Sequence, residues 1–181
     1  NIYNNDLPEN FWDALTDDIQ IMVDTREQLP LNFKNTLSNK LDFGDYTVGG
    51  DLYSKTFVER KSLGDFKSTF GKGVERFKNE MLRCVEFESY MFVVVESSVE
   101  KINEENLTSK FKSNMTYVWH NVKDVIASFP ENIQFIFAHS RGGAKKIIPK
   151  ILFHGDKLWN VDLQHQIEKR IHGLEQRKSK V

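Results

Sequence analysis

Cysteine occurs once, at Cys84. A single thiol cannot close an internal disulfide, so the chain is read as built for a reducing, intracellular compartment, cytoplasm or nucleus. Long apolar runs are missing too. The longest are short and end in charge, as at Met91 to Val95 before Glu96, which leaves no transmembrane helix to expect. The N-terminal stretch carries Asp6, Glu9, Asp13, Asp17 and Asp18 without a basic region, so no signal peptide is expected. The five histidines (His120, His139, His154, His165 and His172) are scattered, and none stands at zinc-ligand spacing with cysteine. Neither Cys84 nor Ser97-Ser98 sits in a nucleophile motif, and Gly142-Gly143 is too little for a phosphate loop. There is no internal repeat and no low-complexity tract. Once these are excluded, 181 residues with 39% hydrophobic and 28% charged side chains describe an ordinary globular domain with a real core.

Charge of one sign is also lacking overall, since the net charge is −1. Its distribution says more. Residues 141–181 carry ten Lys or Arg against four acids, a net of +6, which leaves −7 for residues 1–140. A basic C-terminal end on an acidic body is either a phosphate-facing tail or a helix with a solvated face.

Patterning predicts mixed α/β structure around one central sheet. Ile19 to Asp24 reads as the first core strand. Arg26 to Lys40 reads as a loop, because Leu29-Pro30-Leu31 breaks any long helix. Tyr46 to Val48 and Leu52 to Lys61 read as an antiparallel hairpin across Gly49-Gly50. Ser62 caps the next helix, with Asp65 three residues on. Val74 to Phe87 reads as a strong helix with Phe77, Met81, Leu82 and Val85 on its core face. Tyr90 to Val95 is a buried strand. Glu100 to Lys112 reads as polar connection, Met115 to Phe129 as a helix stopped by Pro130, and Ile133 to Ala138 as a strand. A helix starts at Ala144 and should kink or restart at Pro149. Asp156 to Arg177 reads as one more helix. Ile147, Ile148, Ile151, Leu152, Phe153, Leu158 and Trp159 crowd together, more apolar surface than one sheet face covers, and point to self-association.

The chemistry concentrates between Asp45 and Asp65. Side chains alternate across a strand, so Glu59 and Lys61 share a face. Asp45, at the neighbouring strand, arrives near the end of the strand carrying Glu59. Taken alone, such alternation is also what a solvated strand face shows. Two carboxylates and a Lys are the parts for metal-assisted phosphodiester hydrolysis. Asp45 and Glu59 would hold a hard cation, Mg²⁺ or Mn²⁺. Lys61 would neutralise charge in the transition state or help to orient the water. Arg60 points to the opposite face, which suits a structural or backbone-positioning role.

The acids recur in an ordered series: Asp24-Thr25-Arg26-Glu27, then Gly44-Asp45, then Glu59-Arg60-Lys61 and, four residues on, Asp65. This series resembles the nuclease motif of the XPF/Hef family of structure-specific DNA endonucleases, over roughly Ile19 to Ala144. The resemblance implies a restriction-endonuclease-like (PD-(D/E)XK) fold, a central mixed sheet flanked by helices. It implies a Mg²⁺-dependent endodeoxyribonuclease with Asp24, Glu27, Asp45, Glu59, Arg60, Lys61 and Asp65 in its catalytic motif and Asp24 beside Asp45 and Glu59 at the metal. Glu27 is then a ligand or a supporting carboxylate. Asp65 orients Lys61 or Arg60, or is a helix-start acid.

DNA is the implied partner, met by Lys72, Arg76, Arg83, Arg170 and Arg177 and by Arg26, a phosphate or carboxylate clamp. Relatives prefer branched or flapped DNA in repair, recombination or replication and work as dimers, so a homodimer or heterodimer is expected. The chain departs from the family in two places. Arg76 is followed four residues on by Glu80 where the family often has Gln, and an ordinary Arg76–Glu80 surface pair is expected there. Residues 1–155 read as the nuclease domain, and residues 156–181 as a basic helix or tail without a recognisable helix-hairpin-helix domain. Two other readings stand beside this one: a resolvase or restriction-type cutter of duplex DNA, and a non-catalytic DNA-binding subunit.

Overall fold

The computed structural model describes residues 3, 5–110 and 112–179; Lys180 of the basic end lies outside them. Its strands are β1 (Ile21–Asp24), β2 (Thr36–Asn39), β3 (Tyr46–Val48), β4 (Thr56–Lys61), β5 (Tyr90–Val95) and β6 (Ile133–Phe137). Its helices are α1 (Leu63–Thr69), α2 (Val74–Glu86), α3 (Val99–Thr108), α4 (Met115–Ser128), α5 (Arg141–His154) and α6 (Leu163–Ser179). The strands form one sheet in the order β2-β1-β3-β4-β5-β6. β3 runs antiparallel to β1 and β4, and the β1–β2, β4–β5 and β5–β6 pairs are parallel. Among the described residues, no helix is long and apolar enough to cross a membrane.

The sheet is covered on both faces, which is why β5 is a continuous apolar run with all six residues buried. On one face, Val58, Tyr90, Phe92 and Val94 pack against Ile148, Ile151 and Leu152 of α5 and Leu163 and Ile167 of α6. On the other, Phe57, Met91 and Val93 pack against Phe66, Phe77, Met81 and Val122 of α1, α2 and α4. Because β4 alternates, Glu59 lies on the α2 face and Arg60 on the α5 face. Leu158, Leu163 and Ile167 share one core with the strands, so the basic C-terminal helix packs onto the sheet.

Several expectations change. β2 occupies part of the stretch read as loop; its four residues are all exposed and show no apolar face, so only pairing with β1 makes it a strand. α3 replaces the polar connection, started by the Ser98 hydroxyl accepting from Lys101 N–H and anchored by buried Ile102. Pro149 lies inside an unbroken α5. Ser140 caps that helix by accepting from Gly143 N–H. The last helix begins at Leu163, after a 3-10 turn at Gly155–Leu158. The core face of α2 is Val74, Phe77, Met81 and Cys84, whereas Leu82 and Val85 are exposed. Most of the apolar crowd is core: Ile147, Ile148, Ile151 and Leu152 of α5 and Leu158 after it are buried and Trp159 is partly buried, leaving Phe153 exposed, so little remains of the apolar surplus that pointed to self-association.

Candidate active site

Two hydrogen-bond ladders deliver Asp45 to its place. Asp45 N–H donates to Val58 O at 2.8 Å, and Asp24 N–H donates to Asp45 O at 2.8 Å. The residue thus bridges the end of β1 and the middle of β4. Gly44 makes this possible, because its φ of +73° lies in the left-handed region and a Cβ there would meet Val58 O at 3.2 Å and Phe57 Cβ at 3.3 Å. The Asp45 carboxylate then accepts Arg60 N–H at 2.7 Å, which sets it level with Glu59 and Lys61. Glu59 Oε1 lies 3.6 Å from Lys61 Nζ on the same strand face.

The clustered carboxyls perturb one another. Burial, then the Glu27 carboxylate, pushes Asp45 up to about 6, against the opposing hydrogen bond from Arg60 N–H. Burial, then Asp45 and Glu80, pushes Glu59 well above the usual carboxylate range. Lys61 opposes both shifts. Such a site holds more negative charge than its one lysine offsets, and an oxygen-only donor set suits a hard divalent cation. Among the described residues, no three His, Cys, Asp or Glu side chains are grouped so that they could together hold a metal ion. A pair of carboxylates that leaves further positions to water and phosphate oxygens is the usual arrangement for Mg²⁺.

Two of the remaining motif acids, Asp24 and Glu27, are held by guanidiniums. Asp24 is buried, and Arg26 Nε donates to its Oδ2 at 2.9 Å while Leu41 N–H donates to Oδ1 at 2.9 Å. Burial raises the Asp24 carboxyl, but the hydrogen bonds from Arg26 and Leu41 outweigh it and hold it below the usual range. Arg26 also donates to Leu41 O at 2.7 Å, yet its side chain stays largely exposed. Glu27 receives Arg60 Nη2 at 3.0 Å and Arg60 Nε at 3.3 Å.

Arg60 organises the α5 face. Besides Glu27 it donates to Glu96 Oε1 at 2.6 Å and to Leu29 O at 3.0 Å. Arg141, the first residue of α5, reaches the same Glu96 oxygen at 3.4 Å and Leu29 O at 3.1 Å. One buried guanidinium therefore ties the segments after β1 and β5 to β4. Glu27 and Glu96 hold Arg60 charged despite its burial. Neither Glu96 nor Arg141 stands out in the sequence, because each is an ordinary charge next to an element end.

Asp65 is exposed in the first turn of α1, where its N–H donates to Ser62 Oγ at 3.3 Å. Lys72 precedes α2, Arg76 and Arg83 lie on it, and all three are exposed. Glu80 does not make the expected pair with Arg76. Its Oε1 accepts Gly44 N–H at 2.8 Å, and its carboxyl lies beside Glu59. The sequence signal is present: Glu80 falls three residues after Phe77 and four before Cys84, so it borders the buried stripe of α2 and is half-buried. Cys84 on that stripe is no nucleophile, because burial pushes its thiol up to about 12. Outside this cluster, the Arg170 guanidinium stacks over the Trp12 ring at 4.7 Å. Trp12, Lys169, Arg170 and Arg177 line a basic cleft of about 290 Å³.

No family model and no curated protein matches the chain by sequence. Solved structures do. XPF from Aeropyrum pernix superposes with a TM-score of 0.56 at 17% identity, covering 76% of this chain and 67% of that one. XPF from Aeropyrum pernix in complex with DNA superposes with a TM-score of 0.52 at 16% identity, covering 75% and 64%. The chain has the restriction-endonuclease-like fold of these XPF structures.

Proposed function

We propose that the chain is a divalent-metal-dependent DNA endonuclease of XPF type, acting on branched or flapped DNA. The observation that carries this reading is the convergence of Asp45, Glu59 and Lys61 on one face of the β3–β4 pair, with Arg60 fixing the carboxylate of Asp45 through its main-chain N–H. Asp45 and Glu59 would hold Mg²⁺ or Mn²⁺, with Asp24 joining them if Arg26 turned to a phosphate. When bound, the cation polarises the phosphate and lowers the pKa of its water. The chain's own residues supply the rest. Lys61 offsets negative charge that grows on the phosphoryl oxygens. The Arg60 network holds β4 rigid against the ends of β1 and β5, which keeps Glu59 and Lys61 in register. The products would carry 5′-phosphate and 3′-hydroxyl ends. The neighbour that is bound to DNA supports a nucleic-acid partner, with the exposed Lys72, Arg76 and Arg83 as candidate phosphate contacts. Dimer formation belongs to the same reading and rests on the family resemblance alone.

The test is cleavage of flap, fork, four-way and linear duplex DNA at matched Mg²⁺. Preference for the flap or fork supports the reading. Equal cutting of linear duplex favours a restriction-type enzyme, and DNA binding without cleavage on any substrate favours a non-catalytic subunit.

A further inference from the structure

We infer that Glu80, which the motif does not contain, is a positioning residue of the candidate site: it holds the turn that presents Asp45. The inference rests on the metal reading of Asp45 and Glu59 given above.

The geometry is a short relay. Glu80 Oε1 accepts Gly44 N–H at 2.8 Å. Gly44 is the left-handed residue that turns the chain into β3, and its neighbours leave little room for a Cβ. The next N–H, from Asp45, is fixed to Val58 O, and the Asp45 carboxylate is fixed to Arg60 N–H. The Glu80 hydrogen bond is thus a direct hold of α2 on the backbone of this turn, beside the packing of Phe43 into the same core. A carboxylate bordering the buried stripe of a helix is costly unless its oxygens are satisfied. Here the Gly44 N–H satisfies one, and the carboxyl also hydrogen-bonds to Glu59 and lies within reach of the Arg26 charge. An apolar residue at this place would complete the α2 stripe formed by Phe77, Met81 and Cys84. A carboxylate stands there instead, aimed at the backbone of the residue before a candidate metal ligand.

This role makes a distinction between two substitutions. Glu80→Gln keeps an acceptor oxygen for Gly44 N–H, whereas Glu80→Ala removes it. The experiment is Mn²⁺ binding to the full chain by isothermal titration, with hydrogen exchange of the Gly44 amide measured on the same samples. Supporting residues behind metal ligands typically contribute about 10–100-fold in affinity. Glu80→Ala should therefore weaken Mn²⁺ by about that factor and speed Gly44 exchange, and Glu80→Gln should restore both to within about 3-fold of wild type. Mn²⁺ affinity unchanged in Glu80→Ala would overturn the role. Equal loss in both variants would overturn it as well, since charge rather than the hydrogen bond would then matter. A wild type that binds no Mn²⁺ overturns the metal reading itself, and the role of Glu80 with it, before any variant is compared.

Discussion

Arg60 N–H donates to the Asp45 carboxylate at 2.7 Å, so an acid from the start of one strand is hung on the strand that carries Glu59 and Lys61. That hydrogen bond favours the ionised acid, but burial and Glu27 outweigh it and push Asp45 up to about 6. The folded value stands above the unfolded one. Between about pH 4 and 6 the folded chain therefore holds the extra proton, and stability falls as pH rises through that window. Asp45→Asn should be more stable than wild type at pH 7.5, by at most about 3 kcal/mol, and the gap should close near pH 4. Urea denaturation of both proteins across that range checks this. Millimolar Mg²⁺ should stabilise wild type and not Asp45→Asn.

The Arg60 guanidinium is the shared partner of Glu27 and Glu96, all three side chains being almost fully buried. Removing it strands two buried carboxylates. Arg60→Ala should cost about 3–5 kcal/mol, the usual penalty for breaking a buried pair from one side. Arg60→Lys should recover only part, because an ammonium cannot make the bidentate contact to Glu27. Thermal denaturation separates the three proteins. A variant as stable as wild type would show that the network contributes nothing to the fold.

Lys61→Ala should bind Mn²⁺ at least as well as wild type, because it removes a positive charge from beside Glu59. Its DNA cleavage should fall by about 100-fold or more, the scale on which single transition-state donors act. Isothermal titration and single-turnover kinetics on the same preparation measure the two effects. Loss of both together would move Lys61 from the chemistry to the fold.

Much of this is legible in the sequence because apolar patterning and motif spacing are local. β5 is readable as an unbroken apolar run, and the β3–β4 pair from short strand runs on either side of Gly49-Gly50. Opposite faces for Glu59 and Arg60 follow from strand alternation alone. What is hidden depends on partners distant in sequence. β2 has no buried residue, so nothing in Thr36–Asn39 marks it as a strand apart from its pairing with β1. α3 buries only Ile102, too little for a stripe. A core face of α2 turned through Leu82 and Val85 leaves Glu80 outside; the true face, through Val74, Phe77 and Cys84, brings it to the core's edge. A clamp role for Arg26 and a structural role for Arg60 are legible, but that their partners are the motif acids Asp24 and Glu27 is not, because those pairings depend on the folded loop after β1.

The basic end gives a prediction of different character. Arg177 lies in the last turn of α6 and Arg170 stacks on Trp12, so neither belongs to the carboxylate cluster. Replacing both by Ala should lower the salt slope of DNA binding by up to about two units, roughly one for each phosphate left without its arginine. The single-turnover rate at saturating DNA should stay within about 2-fold, because neither residue is part of the site. Binding isotherms at several salt concentrations measure the slope. An unchanged slope would make this helix face a solvated surface only.

The central claim is that Asp45 and Glu59 form one metal-dependent catalytic site. Its most direct test is single-turnover cleavage of a 5′-labelled flap by wild type, Asp45→Asn and Glu59→Gln, each with Mg²⁺ and with EDTA. The account predicts Mg²⁺-dependent cutting by wild type and none detectable from either folded variant. Cleavage by a variant near the wild-type rate, or wild-type cutting that persists in EDTA, would contradict it.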